Sequence, residues 1–300
     1  MIRTLTDADL WDADCCPTCD STAPRSVIMR ANESPRVDWL ACSVCRGASL
    51  SRMPSDEYLD AFYEGYYDSH RRSSDVDDAM WQKIAHRISK EIRLGDTEKH
   101  AIRILDFGGG RGGVSLTLAK QLARKRSVTV TIVDRSFEQS HDSHTEHGID
   151  VECVRSLEQT EGKFDLVVAS AVLEHVPRLA PVLRDLLGKI HDSGGGFYAR
   201  TPYALPLRQL YSKYDLIFPQ HVHDLGPSFW NRLMERHGIH ARTVVSRPSM
   251  VESFLWDRPV ATLAANILKL PGRVERWIRR SPKDYLWNWV GGWELFLTKV

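Results

Sequence analysis

Residues 102–118 read I-R-I-L-D-F-G-G-G-R-G-G-V-S-L-T-L, and this stretch decides the fold. A short apolar run carries the acid Asp106 near its end, breaks into a glycine cluster, and resumes with apolar residues at helical spacing. The pattern predicts a strand, a tight turn and a helix. Gly108, Gly110 and Gly112 allow backbone conformations that other residues avoid, and the helix start offers free N–H groups. We therefore predict a turn that holds a nucleotide-like cofactor.

A second acid follows at the end of the next apolar run. Val128–Val133 predicts a strand, and Asp134 comes directly after it. An acid about 20 residues past a glycine turn, at a strand end, is placed to accept hydrogen bonds from both hydroxyls of a ribose. Gly108, Gly110 and Gly113 also satisfy the dinucleotide pattern G-x-G-x-x-G, so an NAD or FAD enzyme remains an alternative on this turn alone.

These motifs resemble those of the class I S-adenosylmethionine-dependent methyltransferases. Residues 106–112, D-F-G-G-G-R-G, match the family's first motif, and Asp134 matches the acid that ends the second. Residues 164–177, F-D-L-V-V-A-S-A-V-L-E-H-V-P, are similar to the family's fourth-strand motif, which dehydrogenases lack. The resemblance implies S-adenosyl-L-methionine as cofactor and methyl transfer as the reaction.

Strand and helix patterns alternate through the centre of the chain, with a helix expected from about residue 137. We predict an α/β fold with a doubly wound, Rossmann-like, mostly parallel seven-stranded sheet and an antiparallel last strand. The expected divisions are a zinc-ribbon subdomain at 1–54, a helical connector at 55–100, the cofactor domain at 101–250, a helical insertion that shapes the acceptor pocket at 251–292, and a closing strand at 293–300.

The resemblance also implies which residues contact the cofactor. The glycines would approach the methionine and ribose, Asp134 would hold the ribose hydroxyls, and Arg135 would cover the adenine. The family commonly has an acid after the third strand, where this chain has R-S-L-E, so Ser156 or Leu157 would contact the adenine through the backbone. The full expected set is Tyr67, Asp106, Gly108, Gly110, Gly112, Asp134, Arg135, Ser156, Leu157, Ser170 and Ala171.

Five of the six cysteines lie within the first 45 residues. Cys16 and Cys19 form one C-x-x-C pair, and Cys42 and Cys45 form a second. Two such pairs complete a closed tetrahedral zinc site without an open position for water, which indicates a structural role. Residues 26–29 and 36–40 would form the arms of a β-ribbon. A disulfide is the alternative in a secreted chain, and Cys15 is an alternative ligand to Cys16.

Methyl transfer to a hydroxyl requires a group that removes its proton, and histidine is the usual one. The loop F-P-Q-H-V-H-D-L at 218–225 resembles the family's loop before its late helix, where a histidine faces the active site. His221 is the expected general base and His223 the second candidate, projecting to the same side in an extended loop. The alternatives are that both only stabilise the loop or that they form a metal pair. Glu174 and His175 fit a helix cap as well as catalysis.

Composition excludes several function classes. The 40 basic and 39 acidic residues give a net charge of +1, so no nucleic-acid partner is expected. Lacking a signal peptide and a membrane-spanning run, the chain is expected to be cytoplasmic. Residues 267–280 are basic and amphipathic, either a solvated helix face or a membrane contact. We expect a small-molecule acceptor and O-methylation of a sugar-like or secondary metabolite; C- or N-methylation, or a macromolecule recruited by the ribbon, remain alternatives.

Overall fold

The structure is a computed structural model. It describes residues 4–69, 75–92, 94, 101–124, 126–137, 141–210, 216–237, 239–249, 259–279 and 291–300. The strands of these residues are β1 Leu10–Asp12, β2 Arg25–Asn32, β3 Val37–Cys42, β4 Ala48–Leu50, β5 Arg52–Pro54, β6 Ile102–Phe107, β7 Val128–Val133, β8 His141–Glu146, β9 Ile149–Val154, β10 Leu166–Ser170, β11 Gly196–Tyr203, β12 His223–Asp224, β13 Ala241–Pro248 and β14 Gly291–Lys299.

The α-helices are α1 Asp56–Ser69, α2 Asp75–Glu91, α3 Gly113–Leu122, α4 Leu179–Gly188, α5 Leu205–Leu210, α6 Pro227–Arg236 and α7 Pro259–Arg279. Short 3-10 turns lie at Asp7–Asp9, Leu157–Gln159 and Leu173–His175. The predicted strand, turn and helix at 102–118 are confirmed as β6, the glycine turn and α3.

The central sheet has the order β13-β14-β11-β10-β6-β7-β9-β8. Strands β11, β10, β6, β7 and β9 run parallel, whereas β14 is antiparallel to both β11 and β13. Alternate residues of each strand point to opposite faces of the sheet, and helices cover both of these faces. Ile104 packs with α2 and α3, and its neighbour Leu105 packs in a second cluster with α4 and α6. The predicted doubly wound fold is confirmed.

One expected helix is wrong, and the sheet gains a strand. The segment after residue 137 contains β8, which pairs antiparallel with β9, so the sheet has eight strands instead of seven. His147 and Gly148 connect the two strands with φ values of 51° and 77°. Two consecutive positive φ values are typical of the tight hairpin turn that suits twisted strands. The segment H-D-S-H-T-E carries no apolar stripe, and its residues 142–145 are exposed.

Strand order reverses between β6 and β10. The next strands, β7 and β9, lie on one side of β6, and the later strands β10 and β11 lie on its other side. The carboxyl ends of these two strands therefore flank a crevice, the position where open α/β sheets bind ligands. The glycine turn follows β6, and Ser170 ends β10. The fold thus brings the two motifs to one edge of the sheet.

The N-terminal cysteine region forms a four-stranded sheet with the order β12-β4-β3-β2. The predicted ribbon arms are confirmed as β2 and β3. Strand β12 is distant from the other three strands in the sequence, and it pairs with β4 through His223 and Asp224. The loop expected to carry the catalytic histidines is therefore part of the ribbon sheet.

The C-terminal part contains α7, which begins at Pro259, followed by β14. Trp277 lies on α7 with 82% of its side chain exposed. Trp256, Trp287 and Trp289 of the expected insertion lie outside the described residues. In the described part of the chain, no helix is both long and apolar enough to cross a bilayer.

Candidate active site

The glycine turn has the backbone conformation that the sequence predicts. Gly108, Gly110 and Gly112 have φ values of 66°, 54° and 74°, in the left-handed region that side chains disfavour. A Cβ atom added at Gly108 would lie 2.1 Å from Cγ2 of Val172. At Gly110 nothing lies within 4 Å of the same added atom. The turn is therefore closely packed behind Gly108 and open in front of Gly110.

Asp134 faces that open position. Its Oδ2 accepts a hydrogen bond of 2.7 Å from the backbone N–H of Gly110, and its Oδ1 accepts bonds of 3.0 and 2.7 Å from the backbone N–H and hydroxyl of Ser136. A carboxylate has about four acceptor positions, of which three are occupied here, so Oδ2 retains capacity for one more donor. The carboxylate can accept both hydroxyls of a ribose when one of them replaces the Ser136 hydroxyl at Oδ1.

Asp106 lies beneath the turn, not beside its open face. Its side chain is 2% exposed, and a Cβ at Gly109 would lie 2.6 Å from its carboxyl group. Burial raises the pKa of Asp106 to about 7, and a hydrogen bond from Ser115 partly opposes that rise. The structure places this predicted cofactor residue as a buried support of the turn.

Arg135 is on the surface and forms ion pairs with α1. Its guanidinium lies 3.3 Å from the carboxylate of Asp56 and 3.7 Å from that of Asp60. Salt bridges between exposed side chains are weak, so Arg135 can exchange these partners for a ligand at little cost. Tyr67 belongs to the last turns of α1, but its side chain is outside the described residues.

The segment after β9 is a capped 3-10 turn. The N–H of Ser156 donates to Oε1 of Gln159 at 3.0 Å, so this backbone donor is already used. Leu157 is buried. The adenine contact expected here stays a prediction.

Ser170 and Ala171 lie at the carboxyl end of β10, as predicted. Ser170 is half-buried and Ala171 is exposed. Ala171 has a φ of 57°, and its N–H donates to the carbonyl of Arg200 at 2.9 Å. A residue with a side chain held at positive φ is strained, and such strain is concentrated at functional sites. Both residues lie on the β10 side of the crevice between β6 and β10.

The structure brings His221 to His175. Their ring centroids are 4.8 Å apart with an interplanar angle of 69°. The carboxylate of Glu174 lies 3.9 Å from Nε2 of His175. One ligand atom from each of Glu174, His175 and His221 lies within 4.8 Å of the others. Both histidines are half-buried, so the cluster is reachable from solvent at the end of β10.

His223, the second predicted catalytic residue, lies in a different environment. It is fully buried in β12, and its Nε2 lies 2.8 Å from the carbonyl oxygen of Val176. Burial lowers the pKa of His223 to about 4, which keeps the imidazole neutral. A buried neutral imidazole with no solvent exposure is poorly placed to receive a proton from an acceptor. The pairing of His221 with His223 in one open cluster is not what the structure shows.

Backbone hydrogen bonds hold the His221 loop on both sides. Gln220 accepts through its carbonyl from Nδ1 of His175 at 3.0 Å. Val222 donates its N–H to the carbonyl of Glu174 at 2.8 Å and accepts from the N–H of Leu50 at 3.1 Å. The loop therefore joins the Glu174 turn to the ribbon sheet. Its position depends on both.

The four predicted cysteines converge. Sγ of Cys16 lies 3.7 Å from that of Cys45, and Sγ of Cys19 lies 3.8 Å from that of Cys42. Four thiolates about 2.3 Å from a tetrahedral zinc ion are about 3.8 Å apart, so these spacings fit the ion. Cys15 is not one of the four clustered cysteines.

The two knuckles have the same backbone form, which supports the fit. Asp20 and Arg46 each follow the second cysteine with positive φ, and each donates its N–H to the carbonyl of the first cysteine. The backbone N–H of Gly47 also points to Sγ of Cys45 at 3.4 Å. The four-cysteine cluster is consistent with a zinc ribbon.

Sequence reasoning missed the contact between His175 and His221. The two are far apart in the chain, and no local pattern connects them. The usable signal was that His175 follows β10 and His221 follows β11, since carboxyl ends of adjacent parallel strands meet at one edge. The reasoning also missed Trp81 of α2, whose ring would lie 2.3 Å from a Cβ at Gly113. Gly113 thus serves close helix packing in this chain.

Comparison with known proteins gives one family match and several solved structures. A family model described as a methyltransferase domain matches residues 79–244, more than half of the chain. The plantazolicin methyltransferase BpumL, solved with a monoazolic desmethylPZN analog and SAH, is 14% identical, with 81% of this chain and 90% of that chain covered and a TM-score of 0.47.

Two further solved structures are similar. A cyclopropane-fatty-acyl-phospholipid synthase-like protein from Lactobacillus casei ATCC 334 is 16% identical, with 74% of this chain and 90% of that one covered and a TM-score of 0.39. A geranyl diphosphate methyltransferase in complex with SAM is 11% identical, with coverages of 74% and 85% and a TM-score of 0.39. Among curated proteins no sequence matches.

Proposed function

The chain belongs to the methyltransferase-domain family and is an S-adenosylmethionine-dependent methyltransferase, and from this premise we propose that it methylates an oxygen atom of a small sugar-like or secondary-metabolite acceptor. One observation carries the proposal. The glycine turn after β6, Asp134 after β7 and the Glu174–His175–His221 cluster after β10 follow the carboxyl ends of three neighbouring parallel strands, at one edge of the sheet.

When bound, the cofactor would supply the reactive centre, because its positively charged sulfur can leave the methyl group as a neutral thioether. The protein must then hold the methyl group in line with the acceptor, about 3 Å from the attacking oxygen. In the proposed arrangement Asp134 binds the ribose hydroxyls, and the glycine turn approaches the methionine half. Ser170 and Ala171 border the methyl group, and Ser156 or Leu157 contacts the adenine. Arg135 covers the adenine, and Tyr67 reaches the methionine end of the cofactor.

We propose His221 as the group that accepts the proton of the acceptor hydroxyl. It is half-buried, it lies on the loop after β11, and its ring contacts His175 at the end of β10. A histidine titrates near neutral pH, which suits proton transfer at that pH. His223 is fully buried in the ribbon sheet, and its proposed role is to hold the loop through Val176.

The four clustered cysteines are proposed to hold one structural zinc ion. Cys16, Cys19, Cys42 and Cys45 fill all four positions of a tetrahedral site, so the ion would stabilise the ribbon fold without binding the acceptor. The ribbon sheet includes β12, which begins two residues after His221. A filled metal site would therefore also fix the acceptor loop.

Each part of the chain in the division predicted from the sequence has a proposed role. The ribbon of residues 1–54 holds the acceptor loop, the connector at 55–100 leads into the cofactor domain at 101–250, and the insertion at 251–292 borders the acceptor pocket before the strand at 293–300.

Two measurements test the proposal. Calorimetry of the zinc-loaded full chain should show binding of S-adenosylhomocysteine and none of NADH; the reverse result would contradict the cofactor assignment. With an acceptor identified by screening, transfer of a ¹³C-labelled methyl group gives a product whose methyl chemical shift distinguishes O-, N- and C-methylation.

His221→Asn tests the base. We expect turnover to fall by about 100-fold or more while S-adenosylhomocysteine affinity stays unchanged, since general-base removal costs about 10²–10⁴-fold. The matched substitution His144→Asn, on the exposed edge strand β8, should leave turnover intact. Wild-type turnover in the His221→Asn variant would exclude His221 as the base.

A further inference from the structure

The turn after β10 brings a ring nitrogen of His175 close to the carboxylate of Glu174. Nδ1 of His175 lies 3.0 Å from the carbonyl oxygen of Gln220. A carbonyl only accepts hydrogen bonds, so Nδ1 must carry the hydrogen. In neutral His175 the lone pair is therefore on Nε2, and Nε2 lies 3.9 Å from Oε1 of Glu174. A lone pair this close to a carboxylate is unfavourable, whereas a protonated imidazole beside the same carboxylate is stabilised.

Glu174 strengthens this demand for positive charge because it is buried. Its side chain is 2% exposed, and within the described residues its Oε2 has no hydrogen-bond partner. Burial raises the pKa of Glu174, whereas the charges of His175 and Arg200 lower it. A buried carboxylate without a paired charge is costly. A proton on the neighbouring imidazoles gives this carboxylate its counter-charge.

The groups around the histidine pair come from several elements. Glu174 belongs to the same turn as His175. The positive charge of Arg200 in β11 lies near enough to lower the pKa of Glu174. His223 of β12 is buried close by and stays neutral. The ring of Tyr63 in α1 meets that of His175 edge-on at 6.1 Å. Of the groups named here, Glu174 bears a negative charge as a carboxylate and so stabilises a cation on the histidine rings.

We propose that Glu174 and His175 are positioning residues that raise the proton affinity of His221, an inference that rests on the proposed function. His175 fixes the loop through Gln220 and contacts the ring of His221 at 4.8 Å. The acceptor O–H bond breaks as its proton goes to an imidazole nitrogen of His221. The oxygen forms a bond to the donor methyl, and the C–S bond breaks with its electron pair on sulfur. The Glu174 carboxylate stabilises the resulting imidazolium.

NMR titration of the histidine ring signals tests this without a known acceptor. The sample is the zinc-loaded full chain, ¹⁵N-labelled on histidine, with S-adenosylhomocysteine bound. We expect the ¹⁵N shifts of wild-type His175 to show the Nδ1–H tautomer. In Glu174→Gln the titration midpoint of His221 should fall by about one pH unit or more, since an opposite charge within about 4–6 Å shifts a pKa by 1–3 units.

Control variants separate charge from shape. Glu174→Asp keeps the charge and should retain most of the midpoint shift. Glu146→Gln changes a carboxylate on the edge strand β8 and should leave His221 unaffected. The heat of S-adenosylhomocysteine binding, measured on the same samples, reports folding and cofactor binding independently of the histidine titration. A failure of the proposed function therefore appears as lost binding, and a failure of this inference appears as an unchanged midpoint.

Three outcomes would overturn the inference. The first is an Nε2–H tautomer of His175 in the wild-type chain, which needs no variant to fold. The second is an equal His221 midpoint in wild type and Glu174→Gln. The third is selective broadening of the His175 and His221 signals by stoichiometric Mn²⁺ alone, because a bound cation would then supply the positive charge that we assign to a proton.

Discussion

Gly110→Ala separates backbone strain from ligand contact. Gly110 has a φ of 54°, so alanine there costs about 1–2 kcal/mol of unfolding free energy in the chain without ligand. Nothing in the described structure lies within 4 Å of the added Cβ. If the cofactor fills that space, the methyl group overpacks it at a further cost of about 1–3 kcal/mol, which weakens S-adenosylhomocysteine binding by about 5- to 150-fold.

Gly148→Ala is the matched control. Gly148 has a φ of 77° in the turn between β8 and β9, and the Cβ added there also meets nothing within 4 Å. Urea unfolding should show a similar loss of stability in both variants, whereas calorimetry should show weakened binding in Gly110→Ala alone. Equal affinities in the two variants would refute the placement of the cofactor over Gly110.

Three further predictions follow from the site. Asp134→Asn should weaken S-adenosylhomocysteine binding by about 10- to 100-fold in calorimetry, because hydrogen bonds to a charged group are worth about 1.5–3 kcal/mol. Cys42→Ser should lower the zinc content measured by atomic emission and the unfolding free energy, whereas Cys15→Ser should change neither. Burial raises the pKa of Asp106 from 3.8 to about 7, so the folded chain retains a proton that the unfolded chain loses, and stability falls as pH rises through that range. Asp106→Asn should therefore gain stability relative to wild type between about pH 4 and pH 7, in urea titrations at each pH; a constant difference would contradict the burial argument.

Backbone hydrogen bonds connect the ribbon to the proposed active site. Val222 bonds to Leu50 of β4 on one side and to Glu174 on the other, directly beside His221. The carbonyl of Pro17, in the first knuckle, also accepts a hydrogen bond from the N–H of Ala180 at the start of α4. Loss of the ribbon fold would therefore displace the proposed base without touching the glycine turn.

The sequence by itself determined the features that depend on neighbouring residues. The glycine turn needs positive φ at three positions, and only glycine takes that conformation without strain. The apolar runs of β6, β7 and β10 predict buried parallel strands because both their faces are covered. The two C-x-x-C pairs fix their own knuckle geometry. These signals are local, so the chain carries them in its spacing.

Tertiary structure decided the features that depend on which distant segments meet. Alternation in the loop predicts that His221 and His223 act together, but pairing of β12 with β4 buries His223 and leaves His221 against His175. β8 has little apolar character, and only its partner β9 makes it a strand. Burial and strand pairing are properties of the packed chain, because each depends on neighbours that no single stretch contains.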